Sequence, residues 1–328
     1  MAQKAFRWGV LGTARISRSI IPAMHASARH ELVAVASRNR ARADAYAREW
    51  GIPRVHASYE TLLDDPEIDA IYNPLPNALH AAWTIRAVRA GKHVLCEKPL
   101  ATSVADVDAI AREAKAAGVV VTEAFMYRHH PQTLRLKALV DERAIGKLRL
   151  IRSAFTFTLT RSGDVRWDPA LGGGSLWDVG CYPVSIARLL AGVEPQEVFG
   201  RSRQGAEDVD EAFTGQLALR DVVAQFDAGF RAPLRTHLEV VGTEGVITAA
   251  LPFKPGPDAR LLLSRGDSCE VVEVDSQPLY LGELDDLADA ATLGREPRVG
   301  LADSRGNVAT LVALYESART GRPVAVAR

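Results

Sequence analysis

Short apolar stretches alternate with helical ones from the start of this 328-residue chain to about residue 125, and this restricts its folds more than any other feature. FRWGVLG (Phe6–Gly12), ELVAVAS (Glu31–Ser37), DAIYNPL (Asp69–Leu75), HVLCEK (His93–Lys98) and VVVTEAF (Val119–Phe125) read as strands. The intervening segments read as helices. One starts at about Ala14, with Ile16, Ile20 and Met24 a turn apart on one face and Pro22 expected to kink it. RARADAYAREWG follows the second strand. Asn77 is expected to cap the next helix and Gly91 to end it. Ser103-x-x-Asp106 opens VADVDAIAREAKAAG like a capping box. Strands separated by helices imply parallel βαβ units and a doubly wound sheet.

Near Phe125 the pattern changes. MYRHHPQTLRLKALVDERAIG looks helical, and KLRLIRSAFTFTLT alternates like a long half-buried strand. After a helix carrying GGGSLWDVGCYPVSIARLLAG come EVFGRSR, AFTGQLAL, VVAQFDAGF, HLEVVG, GVITAA, RLLLSR and CEVVEV, strand-like segments with short turns. Adjacent strands joined in this way predict a mostly antiparallel sheet. Helices at about 280–293 and 303–320 close the chain. The expected fold is therefore α/β: a Rossmann-type doubly wound parallel sheet over residues 1–124, then an α+β domain with a large open, mostly antiparallel sheet over 125–328.

Composition excludes several functions. Lys plus Arg and Asp plus Glu both number 40, so the formal charge is zero. A nucleic-acid or membrane-surface protein shows a basic excess, so neither partner is expected. No stretch is long and apolar enough for a membrane span. Cys96, Cys181 and Cys269 form neither a disulfide framework nor a zinc site. MAQKAFRWGVLG lacks the apolar run of a signal peptide, so the expected location is cytoplasmic. His129 and His130 have no carboxylate or cysteine at ligand spacing, so no metal is expected.

Gly12-Thr13-Ala14-Arg15-Ile16-Ser17 lies where a dinucleotide-binding turn belongs, between a strand and a helix, with small residues that let the backbone approach a pyrophosphate. The second strand ends in Ser37, Arg38, Arg40 and Arg42, with no acid before Asp44. An acid at this place binds a free ribose 2′-hydroxyl, whereas a hydroxyl and guanidinium groups suit a 2′-phosphate. NADP is thus preferred to NAD, with Arg40 the least involved. Glu97-Lys98-Pro99 stands at a strand's carboxyl end, where such sheets bind ligands. An ammonium there favours negative charge on a substrate oxygen, and Glu97 can hold that ammonium or a cofactor ribose. Asp178 and Tyr182 are four apart, one above the other on a helix, so Tyr182 can exchange a proton and Asp178 can orient substrate or Lys98. The Gly172–Gly174 run allows close backbone approach or a turn.

AGKHVLCEKPLA, YNPLPNALHAAW, EAFMYRHHPQ and GGGSLWDVGCYPV, in that order, resemble the glucose–fructose oxidoreductase/inositol dehydrogenase/rhizopine-catabolism family over nearly the whole chain. The resemblance implies an NAD(P)-dependent oxidoreductase whose second domain often forms a homo-oligomer interface, in a dimer or tetramer. It matches Lys98 to the family's catalytic lysine and Asp178 to its active-site aspartate. Tyr182, where many members have histidine, places the chain in a tyrosine branch. That branch holds NADP-dependent xylose dehydrogenases, dimeric dihydrodiol dehydrogenase and ketosugar reductases, with tyrosine as general acid/base. Leu75, Pro76, Asn77 and His80 match the loop that approaches the nicotinamide ribose. Arg128 and His130 are candidate substrate contacts. The implied reaction is hydride transfer between NADP(H) and a sugar-like secondary alcohol or carbonyl. A trans-dihydrodiol dehydrogenase, a nucleotide-linked ketosugar reductase or a non-catalytic cofactor-binding sensor are its alternatives.

Overall fold

The computed structural model describes residues 5–327. Met1–Lys4 and Arg328, at the outer ends of the two expected domains, lie outside the described residues, as does that part of the signal-peptide reading. The first unit is built on β1 (Phe6–Leu11), α1 (Ser17–Ala26), β2 (His30–Ala36), α2 (Arg40–Trp50), β3 (Arg54–His56), α3 (Tyr59–Leu63), β4 (Ala70–Asn73), α4 (Asn77–Arg89), β5 (His93–Glu97), α5 (Val104–Ala117) and β6 (Val121–Ala124). Its six strands are all parallel, in the order β3-β2-β1-β4-β5-β6. This is the doubly wound arrangement with its switch point between β1 and β4. β1, β2, β4 and β5 are buried nearly throughout because helices cover both faces, hence their mostly apolar sequence.

The second unit contains α6 (Pro131–Asp141), β7 (Leu148–Thr158), a π-helical turn at Leu176–Gly180 running into α7 (Cys181–Ala191), β8 (Glu197–Gln204), β9 (Asp210–Leu219), β10 (Val222–Gly229), β11 (Arg231–Gly242), β12 (Val246–Ala249), β13 (Arg260–Arg265) and β14 (Ser268–Glu273). α8 (Leu281–Leu293), α9 (Leu301–Thr320) and β15 (Val324–Ala325) end the chain. The strand order is β14-β13-β12-β11-β7-β10-β9-β8-β15. Only the central β7–β10 pair is parallel, so the mostly antiparallel sheet expected from sequence is present.

The units do not divide at residues 124/125 alone. The first comprises the residues up to Met126 together with Tyr280–Ser304, and the second Tyr127–Leu279 with the residues from Arg305. The expected division kept 280–304 in the second domain. The reason for the difference is packing. Leu284, Leu287 and Ala288 lie on one face of α8 and join a buried cluster with Trp8, Tyr72 and Leu95 of the parallel sheet. Outside that core, Arg29 pairs with Asp285 and Asp289, and His30 Nε2 lies 3.1 Å from Asp285. No helix among the described residues is long and apolar enough to cross a membrane.

Candidate active site

In the first unit the expected residues gather at the carboxyl ends of the strands. Gly12 ends β1 with φ +84°, and its N–H donates to the Ala36 carbonyl at 2.7 Å. A Cβ on Gly12 would stand 3.4 Å from both the Leu75 side chain and the Tyr59 hydroxyl, so glycine suits both the backbone angle and the approach. Thr13, Ala14, Arg15 and Ile16 form a turn, and α1 begins at Ser17 rather than near Ala14. Ser37 is buried just beyond β2, and its Oγ accepts from the Asn39 N–H at 3.3 Å. Asn39 caps α2, accepting from the Arg42 N–H at 3.0 Å.

The arginines divide as the sequence suggests. Arg40 pairs with Asp44 at 2.8 Å on the surface. Arg38 and Arg42 act instead on Tyr59: burial raises its phenol's pKa, and both guanidinium groups oppose that rise. Tyr59 passed unnoticed in the sequence, because its five-residue segment YETLL is too short to show a period. A glycine without a Cβ, a helix start, a hydroxyl and two cations fit a dinucleotide carrying a 2′-phosphate. The acid that would favour the unphosphorylated cofactor is absent at the end of β2, since Asp44 belongs to Arg40.

Beyond β4, Asn73 donates to the His80 carbonyl at 3.2 Å and to Thr84 at 3.1 Å. Asn77 does not cap α4: it is the first helical residue, and Pro76 holds the cap position without a side-chain bond. The Asn73 and His80 bonds already fix the turn at Leu75–Pro76. His80 is fully buried, with Nδ1 2.7 Å from the Pro99 carbonyl and Nε2 2.6 Å from the Leu75 carbonyl. Burial pushes its pKa down to about 4 against the pull of those two acceptors. Its ring ties the loop after β4 to the turn after β5, and both ring nitrogens face backbone.

Glu97 and Lys98 follow at the end of β5, both half-buried, and the Lys98–Pro99 peptide is cis. The Tyr72 hydroxyl donates to Glu97 Oε1 at 2.6 Å, and the Leu100 N–H donates to the buried Glu123 carboxylate at 2.9 Å. Two strands and two carboxylates thus hold the turn that carries Lys98. Tyr280 and Glu283 of the α8 region also feel Glu97. Burial first, and the Glu97 charge second, raise the pKa of both, in Glu283 well above the carboxylate range. Neither Tyr72 nor Glu283 was recognisable as a neighbour of Glu97 from sequence.

The second unit carries the other expected residues. Asp178 lies in the π turn, and its carboxylate accepts from Arg166 Nε at 2.6 Å. Arg166 also meets Asp164 at 3.1 Å. The Asp178 charge is the main cause that raises the Arg166 guanidinium pKa above its ordinary value. Arg166 drew no attention in the sequence, because nothing in its local pattern points to Asp178. The turn before α7 is π rather than α, a form that recurs at functional sites. Tyr182 is buried in the first turn of α7, its ring centroid 5.3 Å from Phe155, 5.4 Å from Phe253 and 5.7 Å from Tyr127. Such an aromatic box fixes the phenol's direction.

Arg128 is buried and donates to Ser185 of α7 at 2.9 Å. His130 is 1% exposed and caps α6, with Nδ1 accepting from the Gln132 N–H at 3.1 Å. Burial lowers its pKa. His130 therefore has a capping role that the substrate-contact reading did not foresee. Among the described residues no three His, Cys, Asp or Glu side chains are grouped to hold a metal.

Comparison with known proteins agrees with the arrangement in each unit. Residues 6–125 match the family described as "Oxidoreductase family, NAD-binding Rossmann fold", and residues 133–248 match the GFO/IDH/MocA C-terminal domain. The chain is 41% identical over 323 residues to D-xylose 1-dehydrogenase (NADP(+)) 2 of Haloferax volcanii, covering 97% of this chain and 98% of that one. It is similar to the structure of a 3-ketoreductase from Actinomadura kijaniata in complex with NADP and TDP-benzene, with TM-score 0.90, 31% identity, and 95% and 98% of the two chains covered. An aldose-aldose oxidoreductase from Caulobacter crescentus complexed with glycerol gives TM-score 0.91 at 28% identity, covering 98% of this chain and 100% of that one. With both halves matched in order and the strand topology in place, the chain belongs to the GFO/IDH/MocA family of oxidoreductases.

Proposed function

We propose that this protein is an NADP(H)-dependent oxidoreductase that moves a hydride to or from a carbon bearing oxygen in a sugar-like substrate. In the aldose direction the product is a lactone, and in the ketosugar direction an alcohol. The observation that carries the cofactor assignment is the Ser37, Arg38, Arg42 and Tyr59 group beside Gly12. The 41%-identical relative is an NADP-dependent D-xylose dehydrogenase, and the ketoreductase was solved with NADP. Both support the same choice.

When bound, the nicotinamide supplies or accepts the hydride. The chain's residues do the rest. Gly12 to Ile16 and Ser37, Arg38 and Arg42 hold the phosphates, and Leu75, Pro76 and Asn77 form the loop near the nicotinamide. The Lys98 ammonium favours negative charge on the substrate oxygen as alcohol becomes carbonyl or the reverse. The Tyr182 phenol gives or takes that oxygen's proton. Asp178, held by Arg166, orients the substrate. The ketoreductase has been solved in variants altered at one lysine and at one tyrosine, which are as far apart along that chain as Lys98 and Tyr182 are in this one. That spacing supports the two assignments. Arg128, tied to α7 through Ser185, supports the helix that bears Tyr182. The setting we propose is cytoplasmic, and the second unit's large open sheet supports homo-oligomerisation as a dimer or tetramer.

The test is a panel of aldoses, cyclic diols and nucleotide-linked ketosugars, followed at the nicotinamide absorbance band with NADP and with NAD. Turnover of a sugar with NADP preferred is the expected result. Turnover of the cyclic diols alone moves the substrate class to dihydrodiols. NADP binding without turnover of any of them supports a sensor instead.

A further inference from the structure

Asp210 is the first residue of β9, 2% exposed, and far in sequence from the residues assigned to the reaction. Its carboxylate collects three donors. Oδ2 accepts from the Ser175 hydroxyl and from the Leu176 N–H, both at 2.7 Å. Oδ1 accepts from the Tyr315 hydroxyl of α9, also at 2.7 Å. A Cβ on Gly174, whose φ is +116°, would come within 2.2 Å of Oδ1 and 2.9 Å of the Tyr315 hydroxyl. The glycine is there so that the backbone can approach this carboxylate. Tyr315 also lies against Trp177, ring centroids 5.2 Å apart. Gly174, Ser175, Leu176 and Trp177 are thus held by Asp210 and Tyr315, and the next residue is Asp178.

The physical need is plain. The first N–H groups of a helical turn have no partner within the helix. Ser175, at the cap position of the π turn, makes no capping bond with its side chain. Asp210 supplies the missing acceptor from another strand, and its negative charge sits at the end of the turn where the helix dipole favours it. Burial alone raises the Asp210 pKa, while Ser175, Tyr315 and the Leu176 N–H hold it down.

We propose that Asp210, with Tyr315, is a positioning residue for catalysis: it fixes the direction of the π turn, and through it Asp178 and Tyr182. The proposal rests on the reaction assigned above. It concerns orientation in the second unit and leaves cofactor binding in the first unit untouched.

Asp210→Asn, Tyr315→Phe and the double variant test it, assayed with whichever sugar the wild-type protein turns over. Tyr315→Phe keeps the ring on Trp177 and removes one donor. It is expected to lower kcat about fivefold, and Asp210→Asn about thirtyfold, in the range that misplacement of reacting groups costs. The KM for NADP and the binding of NADPH stay within about twofold of wild type, since those contacts are not altered. The double variant is expected to match Asp210→Asn, because the Tyr315 hydroxyl acts through the carboxylate. The pH limb of kcat that reports the proposed general acid/base moves in Asp210→Asn, which a smaller folded fraction would not cause. Wild-type kcat and an unmoved limb in both single variants overturn the proposal. So do losses that multiply in the double variant while following its melting temperature. A wild-type protein inert on the whole panel sinks the functional reading first, and the proposal with it.

Discussion

The two units hold the side chains proposed for the reaction by different means. Lys98 follows directly on an interior strand of the parallel sheet, and the turn that carries it is gripped by its backbone groups: His80 lies on two carbonyls and Glu123 accepts from the Leu100 N–H. Asp178 and Tyr182 lie on a π turn and a helix whose placement depends on side chains from distant segments, namely Arg166, Asp210 and Tyr315. A strand end is a consequence of the fold and tolerates changes around it. A turn held by three side chains is a separate arrangement that single substitutions can undo. The lysine end should therefore respond to changes in its supports as stability, and the tyrosine end as activity.

The largest effects belong to the reactive groups themselves, where the ends should behave alike. Lys98→Met removes the ammonium and Tyr182→Phe the proton donor. Each is expected to lower kcat by about a thousandfold in steady-state assays, in the range for losing one electrostatic stabiliser or one general acid/base. NADPH binding, measured by fluorescence titration, should change less than about threefold.

The supports should separate the two ends. His80→Ala takes the single N–H donor of a neutral ring away from the two carbonyls it lies between and leaves a cavity between two loops. Chemical denaturation should show a loss of about 2–4 kcal/mol. Arg166→Met removes the partner of Asp178, and its guanidinium is partly exposed. It should cost about 1 kcal/mol or less in the same denaturation but lower kcat by about tenfold or more. If Arg166→Met proved the more destabilising of the two and kcat stayed at wild type, the contrast would be wrong.

Within the first unit, Arg38→Met/Arg42→Met asks whether the cationic patch selects the phosphate. Calorimetry should show NADP binding weakened about a hundredfold, two charge-assisted bonds at about 1.5 kcal/mol each, with NAD binding shifted less than about threefold. Equal weakening of both cofactors would remove the 2′-phosphate assignment.

A separate effect concerns pH. Glu283 is buried beside Glu97, and its pKa is raised in the folded protein. Between the ordinary Glu value of about 4.3 and that raised value, the folded state holds a proton that the unfolded state has lost. This contribution to stability is complete below about pH 4.3 and declines as pH rises, by up to about 1.4 kcal/mol per unit, until the folded pKa is passed. Glu283→Gln cannot ionise and should remove that slope in urea midpoints taken from pH 5 to 8. A slope unchanged in the variant would mean that Glu283 is not its source.

How much was legible follows from the same contrast. Strands β1, β2, β4, β5 and β6 were visible because burial makes them and the residues just beside them mostly apolar. Gly12, Ser37, Arg38, Lys98, Asp178 and Tyr182 could be singled out as candidates because each sits at a fixed offset from such an element or within a motif. β3 and α3, at three and five residues, are too short for any period to show. Tyr59 passed unnoticed with α3. The place of α8 in the first unit was hidden because Leu284 and Leu287 carry no mark of which core they join. Arg166 and Asp210 were hidden for a related reason. Their partners are set by tertiary contact, and neither side chain belongs to a local pattern that announces it.

The proposed function requires the Lys98 ammonium and the Tyr182 phenol to serve one reacting carbon, and a double-variant cycle on kcat tests that proposal most directly. Groups that act as a unit lose activity together, so Lys98→Met/Tyr182→Phe should be no slower than the slower single variant, within about threefold. Losses that multiply to the product of the two single effects would mean that the two residues work independently, and the account of the reaction would fail.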